Sequence, residues 1–171
     1  HKLLAEEMTR SLVARWITLQ DVPVSEPPLR RLNEKLKQNQ PVHVVAMPPY
    51  DAHVRLAIRK RFPTADVKIT PWVTVGKSLN DIQEQAKKIR QMSVDAVVLD
   101  IPTEVSATTP EQYIQTLSWV FNYCLSFGQR QWDVFVVDPA LTGEPAGNPQ
   151  RERAMLIRRL VRAQDLPLIS R

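Results

Sequence analysis

Glycine is scarce. The 171 residues hold four, Gly76, Gly128, Gly143 and Gly147. No GxGxxG, GxxxxGK[ST] or GxSxG pattern can be assembled from them. The backbone cradles for dinucleotide or triphosphate, and the nucleophile elbow of the common α/β-hydrolases, are therefore missing. There is a single cysteine, so no internal disulfide forms. Cys124 sits in the apolar stretch WVFNYCLSF with no histidine near it in sequence, which predicts a buried small hydrophobe rather than a catalytic thiol. One free cysteine fits any compartment and leaves localisation open. Only three histidines occur, His1, His43 and His53. No His/Asp/Glu spacing suggests a metal site, so neither metal nor cofactor is expected. No apolar run approaches the roughly 18–20 residues of a membrane span.

What is there is ordinary for a soluble globular chain: 43% hydrophobic and 24% charged residues, with a net charge of +5. The basic residues are spread over several expected helices, as in Arg55/Arg59/Lys60/Arg61 and Arg151/Arg153/Arg158/Arg159/Arg162. They read as solvated faces, without the aromatic interleaving or zinc-finger spacing of a nucleic-acid binder, and nucleic acid is not an expected partner. The opening HKLLAEEMTRSLVARW is charged and amphipathic, unlike a signal peptide. Because the first residue is His1 rather than Met, the expectation is a boundary within a longer protein. The chain is then exported only if a signal peptide was removed.

Residues Leu3–Leu19 carry Leu4, Met8, Leu12 and Trp16 at intervals of four, which predicts an amphipathic helix. The proline-rich DVPVSEPP follows, so 1–28 is expected to be a helix and linker packed on a domain spanning 29–171. In that domain a short helix with Leu29, Leu32 and Leu36 precedes a strand at 41–47. A helix at 51–62 follows, with Asp51 as its N-cap and Val54, Ala57, Ile58 and Phe62 inward. The strand at 65–73 contains Pro71, which cannot donate to a ladder and marks an edge or an irregularity. Ser78 is expected to cap the next helix, with Leu79, Ile82, Ala86, Ile89 and Met92 inward. Strand 95–101, a helix at 111–128 stopped by Gly128, and strand 131–139 come next. The last elements are a helix at 150–164, with Met155, Leu156, Leu160 and Val161 inward, and a short strand at 166–170.

Apolar strands without polar alternation, separated by helices, imply a parallel sheet covered on both faces. Right-handed crossovers then give an α/β, three-layer, doubly wound, flavodoxin-like sheet of five strands in the order 2-1-3-4-5. In such sheets a ligand crevice forms at the carboxyl ends of the strands. The polar residues expected there include His53, at the start of a helix, and the carboxylates Asp100, Glu104 and Asp138. For each of these, the structural alternative is a capping, bracing or solvated role. His43, inside the first strand, is expected to be packed or hydrogen-bonded.

The order of signals from residue 29 onward resembles the SGNH (GDSL-like) hydrolases, an esterase and lipase superfamily. RRLNEKLKQNQPVHVVAMPPY resembles the family's opening helix and strand, but Pro48, Pro49 and Tyr50 stand where its nucleophile block should be, with Tyr50 at the serine position. TVGKSLNDIQ resembles the second block. There Gly76 matches a glycine whose backbone N–H is an oxyanion donor in the family, and Asp81 matches the helix residue. DAVVLDIPTE resembles the third block, with Ile101 for its Gly, Thr103 for its Asn and Glu104 for its Asp. The Asp-x-x-His block has no counterpart. The resemblance implies a catalytically degenerate domain, with no confidently assigned catalytic residue. Its crevice residues are Tyr50, Asp51, His53, Gly76, Asp100, Thr103 and Glu104, and its ligand is a saccharide or an acylated molecule. Two other readings stay open. One is an active esterase whose Asp and His lie outside the chain. The other is an interaction domain without a small-molecule site, docking other domains of a larger protein through positions such as Trp16 and Ile17.

Overall fold

A computed structural model describes residues 29–105, 109–126, 128–139 and 148–170. The expected N-terminal helix, the linker, Trp16 and Ile17 lie outside the described residues. The elements are α1 (Arg30–Lys37), β1 (Val42–Ala46), α2 (Tyr50–Arg61), β2 (Val67–Pro71), α3 (Leu79–Ile89), β3 (Ala96–Leu99), α4 (Pro110–Cys124), β4 (Asp133–Val137), α5 (Pro149–Ala163) and β5 (Leu168–Ile169). The five strands form one all-parallel sheet in the order β2-β1-β3-β4-β5. This is the doubly wound α/β arrangement that the alternation of elements implies. Pro71 falls on the edge strand β2, opposite Ala46, where its missing N–H costs no ladder bond on the open side.

The strands divide their side chains between two cores. Val45, Val97, Leu99 and Val136 pack under α3, α4 and α5 with Ile82, Leu117, Phe121 and Ile157. Val44, Ala46, Val98 and Val137 pack on the other face with Leu32 and Leu36 of α1. All four residues of β3 are fully buried, which explains its unbroken apolar sequence. Each such side chain contributes about 1.5–3 kcal/mol if it is a Val or Leu. Cys124 is completely buried, and burial pushes its thiol pKa up.

Four local expectations need correction. The second helix begins at Tyr50 with Pro49 at the cap position, so Asp51 lies in the first turn and is not the N-cap. The N–H groups of both Tyr50 and Asp51 point at Met47 O, which starts the turn one residue early. On the same helix Ala57 is exposed, and Val54, Ile58 and Phe62 are only partly buried. α2 lies over β1 and β2, at the edge of the sheet, where there is less surface to cover. α4 ends at Cys124 rather than Gly128: Ser126 turns into the left-handed region at φ +50°, and the Trp132 indole N–H donates to the Cys124 carbonyl at 2.6 Å. In α5 the inward stripe is Ala154, Ile157 and Val161, and Met155 is 42% exposed.

Long-range carboxylates hold the amino-terminal end of the sheet. α1 has no local side-chain cap. Instead Asp133 of β4 accepts from Leu32 N at 2.8 Å, doing the work of an N-cap from across the sheet. Burial raises the Asp133 pKa, against the lowering effect of these backbone donors. Asp95 accepts from His43 N at 2.8 Å and pairs with Lys35 at 2.5 Å.

Candidate functional site

Three described loops rise from the carboxyl ends of β1, β2 and β3. After β1, Met47 N donates to Val98 O at 3.0 Å and extends the sheet by one residue. Tyr50 follows, its ring packed against the core under α1 and α2. Asp51 is half-buried, and His53 is exposed on the first turns of α2.

After β2, Trp72 N donates to Ala46 O at 2.8 Å. The Trp72 side chain is buried, and its indole N–H has no partner among the described residues. Thr74 is buried, and Lys77 N closes a turn on Thr74 O at 3.0 Å. Gly76 is the third residue of that turn with φ +69°, the left-handed position that favours glycine. A Cβ placed there would meet nothing within 4 Å, so the requirement is conformational rather than steric. No acceptor among the described residues faces the Gly76 N–H. Its neighbours Val73 and Val75 are 50% and 78% exposed, an apolar rim beside an unspent donor.

Ser78 caps α3 as its sequence position predicts. Asp81 N donates to Ser78 Oγ at 3.2 Å, and Asp81 Oδ2 accepts from Ser78 N at 3.0 Å and from Ser78 Oγ at 2.7 Å. This reciprocal box explains Asp81 structurally. The hydrogen bonds from Ser78 hold its carboxyl below the usual range.

After β3, Asp100 is buried and already engaged. Thr103 is half-buried and Glu104 exposed. Arg153 of α5 reaches across to donate to Thr103 O at 3.0 Å, and its guanidinium lies 5.8 Å from the centroid of the Tyr113 ring. Tyr113 is 2% exposed, and its hydroxyl has no partner among the described residues. Burial raises its pKa to about 12, with Arg153 pulling down and Glu104 pushing up. Beyond β4, Asp138 forms a two-pronged pair with Arg158, at 2.5 and 2.6 Å. It braces α5 against the strand end.

Thr103, Arg153 and Tyr113 thus form one connected group with Glu104 next to Thr103 in the chain, and Gly76 sits on its own turn over β2. His53 and Asp51 share α2, and no described hydrogen bond joins Tyr50 to either histidine. His43 lies away from the strand carboxyl ends. Its Nδ1 faces Ser93 O at 2.8 Å and its Nε2 faces Thr70 Oγ1 at 2.8 Å. A carbonyl only accepts, so Nδ1 carries the proton and the ring serves as a tie between β1, β2 and the turn before β3. No group of three or more His, Cys, Asp or Glu among the described residues is arranged to hold a metal. No helix among them is long and apolar enough to cross a membrane. A groove of about 510 Å³ lies at the opposite end of the sheet, between Arg31, Lys35, Arg90, Asp95, Gln131 and Trp132.

Neither the protein-family models nor the curated proteins contain a match to the sequence. Solved structures do match. One is a two-domain esterase active on acetylated mannans, co-crystallised with mannopentaose, with a TM-score of 0.56 at 15% identity over 86% of this chain. The two share an α/β fold. The chain spans 43% of that esterase's length. A short-chain dehydrogenase from Oenococcus oeni matches at a TM-score of 0.32 and 11% identity, over 84% of this chain and 74% of its own, too low to carry any argument. The shared α/β fold agrees at a coarse level with the fold that the sequence resemblance implies.

Arg153, Arg158, Trp72 and Tyr113 were not among the residues singled out as crevice candidates. The two arginines were visible only as part of a basic helix. Their partners lie 50 and 20 residues away, and no local pattern carries such pairings.

Proposed function

We propose that this chain is an SGNH-hydrolase-like domain that has lost acyl-transfer chemistry and keeps its crevice for a saccharide or an acylated ligand. The observation that carries the reading is the end of β1. Pro48, Pro49 and Tyr50 occupy the stretch where the nucleophile block of the SGNH hydrolases would stand, and the half-buried Tyr50 packs against the core on that face of the sheet. Covalent catalysis needs a nucleophile hydrogen-bonded to a base and an oxyanion donor. Of these, the unspent Gly76 N–H alone has a counterpart among the described residues.

That remnant suits binding. An acetyl carbonyl would accept from Gly76 N–H, whose chain neighbours include the exposed apolar Val73 and Val75, and Glu104 and Thr103 offer acceptors for sugar hydroxyls. The carbohydrate of the similar esterase supplies the first probe. Acetylated and deacetylated manno-oligosaccharides titrated into the labelled protein are expected to move the amide resonances of Gly76, Thr103 and Glu104. The acetylated form should cause the larger shift at Gly76. Shifts confined to other surfaces, or none at saturating sugar, would sink the proposal.

A further inference from the structure

We infer that Arg153 is a seat for a ligand carboxylate, so that the saccharide taken by the crevice is an acidic one, of the uronate class. This deepens the proposed function and rests on it.

The guanidinium is held on two sides. One N–H donates to Thr103 O at 3.0 Å, and Cζ lies over the buried Tyr113 ring, 5.8 Å from its centroid. An arginine carries five N–H donors. The other donors of Arg153 meet no acceptor among the described residues. Elsewhere among the described residues, Arg30 meets Glu34, Arg130 meets Asp165 and Arg158 meets Asp138. Arg153 is half-buried and has no such counter-ion among the described residues. A partly desolvated cation gains most from an anion supplied from outside. Its orientation is also already fixed, so little side-chain freedom remains to be lost on binding.

The neighbouring charge narrows the ligand class. Glu104 is next to Thr103, is exposed, and acts on the same Tyr113 hydroxyl as Arg153 does. A carboxylate accepts hydrogen bonds and repels a second concentrated negative charge, which disfavours a phosphate dianion. A sugar acid satisfies both groups, with its single carboxylate on the arginine fork and its hydroxyls donating to Glu104.

The test compares two sugars that differ chiefly in the carboxylate, a mannuronate trimer and mannotriose, by titration calorimetry at low salt. The wild type is expected to bind the acidic trimer about tenfold or more tighter, as a charge-assisted hydrogen-bonded pair predicts. Added salt should erode that preference. Arg153→Gln should reduce the acidic trimer to the level of the neutral one, and the exposed-helix control Arg159→Gln should leave the preference intact. Arg153→Lys keeps the charge and loses the fork, so it should retain folding and part of the preference, and it replaces Arg153→Gln if that variant does not fold. Equal binding of the two trimers to the wild type overturns the carboxylate seat while leaving the saccharide crevice standing. A preference that survives both Arg153 substitutions does the same. Binding of neither trimer overturns the seat and the crevice together.

Discussion

Tyr113→Phe should make this protein more stable. The ring fills the core under α3, α4 and α5 and is 2% exposed, yet its hydroxyl has no partner among the described residues. A buried, unpaired polar group costs about 1–3 kcal/mol. Phenylalanine keeps the ring, its packing and the Arg153 guanidinium above it, and removes only the cost. A gain of about 1 kcal/mol raises Tm by roughly 2–4 °C in a chain of this size. The effect has a pH signature. Burial raises the phenol pKa from 10.0 to about 12, so the folded state favours the neutral form. That contribution is fully present below pH 10 and is lost as pH rises from 10 through 12. The loss amounts to about 2 kcal/mol across that window, and the variant lacks it. Thermal melts of both proteins between pH 7 and 11.5 should therefore diverge further above pH 10. A variant that melts lower at pH 7, or parallel curves above pH 10, would mean instead that the hydroxyl is satisfied in the folded protein.

Gly76→Ala has room for its methyl group but must adopt φ +69°. It should cost about 1 kcal/mol in chemical denaturation, from backbone strain alone; an unchanged midpoint would mean that the turn relaxes. Ser78→Ala and Asp81→Ala should each lower the melting temperature, and the double variant should do little more, because both remove one capping box. Since the Asp81 pKa is lowered, that contribution is present above about pH 4 and fades as pH falls through the folded value; additive losses would contradict a shared box. Cys124 is fully buried with its thiol pKa raised. It should resist a thiol reagent in the native protein and react at once in denaturant; rapid native labelling would contradict the placement of α4.

The layered fold was legible because its causes are local and periodic. β3 is buried on both faces and reads as an unbroken apolar run, and Pro71 announces the edge strand. Ser78 sits three residues before an acid that completes its box. What escaped was set by contacts between distant segments. Gly128 looked like the end of α4, but Ser126 turns into the left-handed region first, and the Trp132 indole donates to the Cys124 carbonyl. Asp51 looked like a cap, but Met47 O draws the helix start back to Tyr50. α1 borrows its cap from Asp133, 101 residues from Leu32. In α5 the apolar residues outnumber the inward positions, so Met155 could be told from Ile157 only once the helix was docked. The candidate site divides in the same way. Gly76 was visible from its place before a capped helix. The Arg153 bridge to Thr103 depends on how α5 lies beside the β3–α4 loop, and nothing in either segment announces it.

Ester turnover decides whether acyl-transfer chemistry has been lost. Hydrolysis of p-nitrophenyl acetate and of acetylated manno-oligosaccharide would be measured on the wild type beside Tyr50→Phe and His53→Ala. No rate above that of the denatured protein is expected in any of the three. Turnover by the wild type that disappears in Tyr50→Phe or His53→Ala would contradict the loss, and would mean that a working nucleophile and base have been rebuilt at the end of β1.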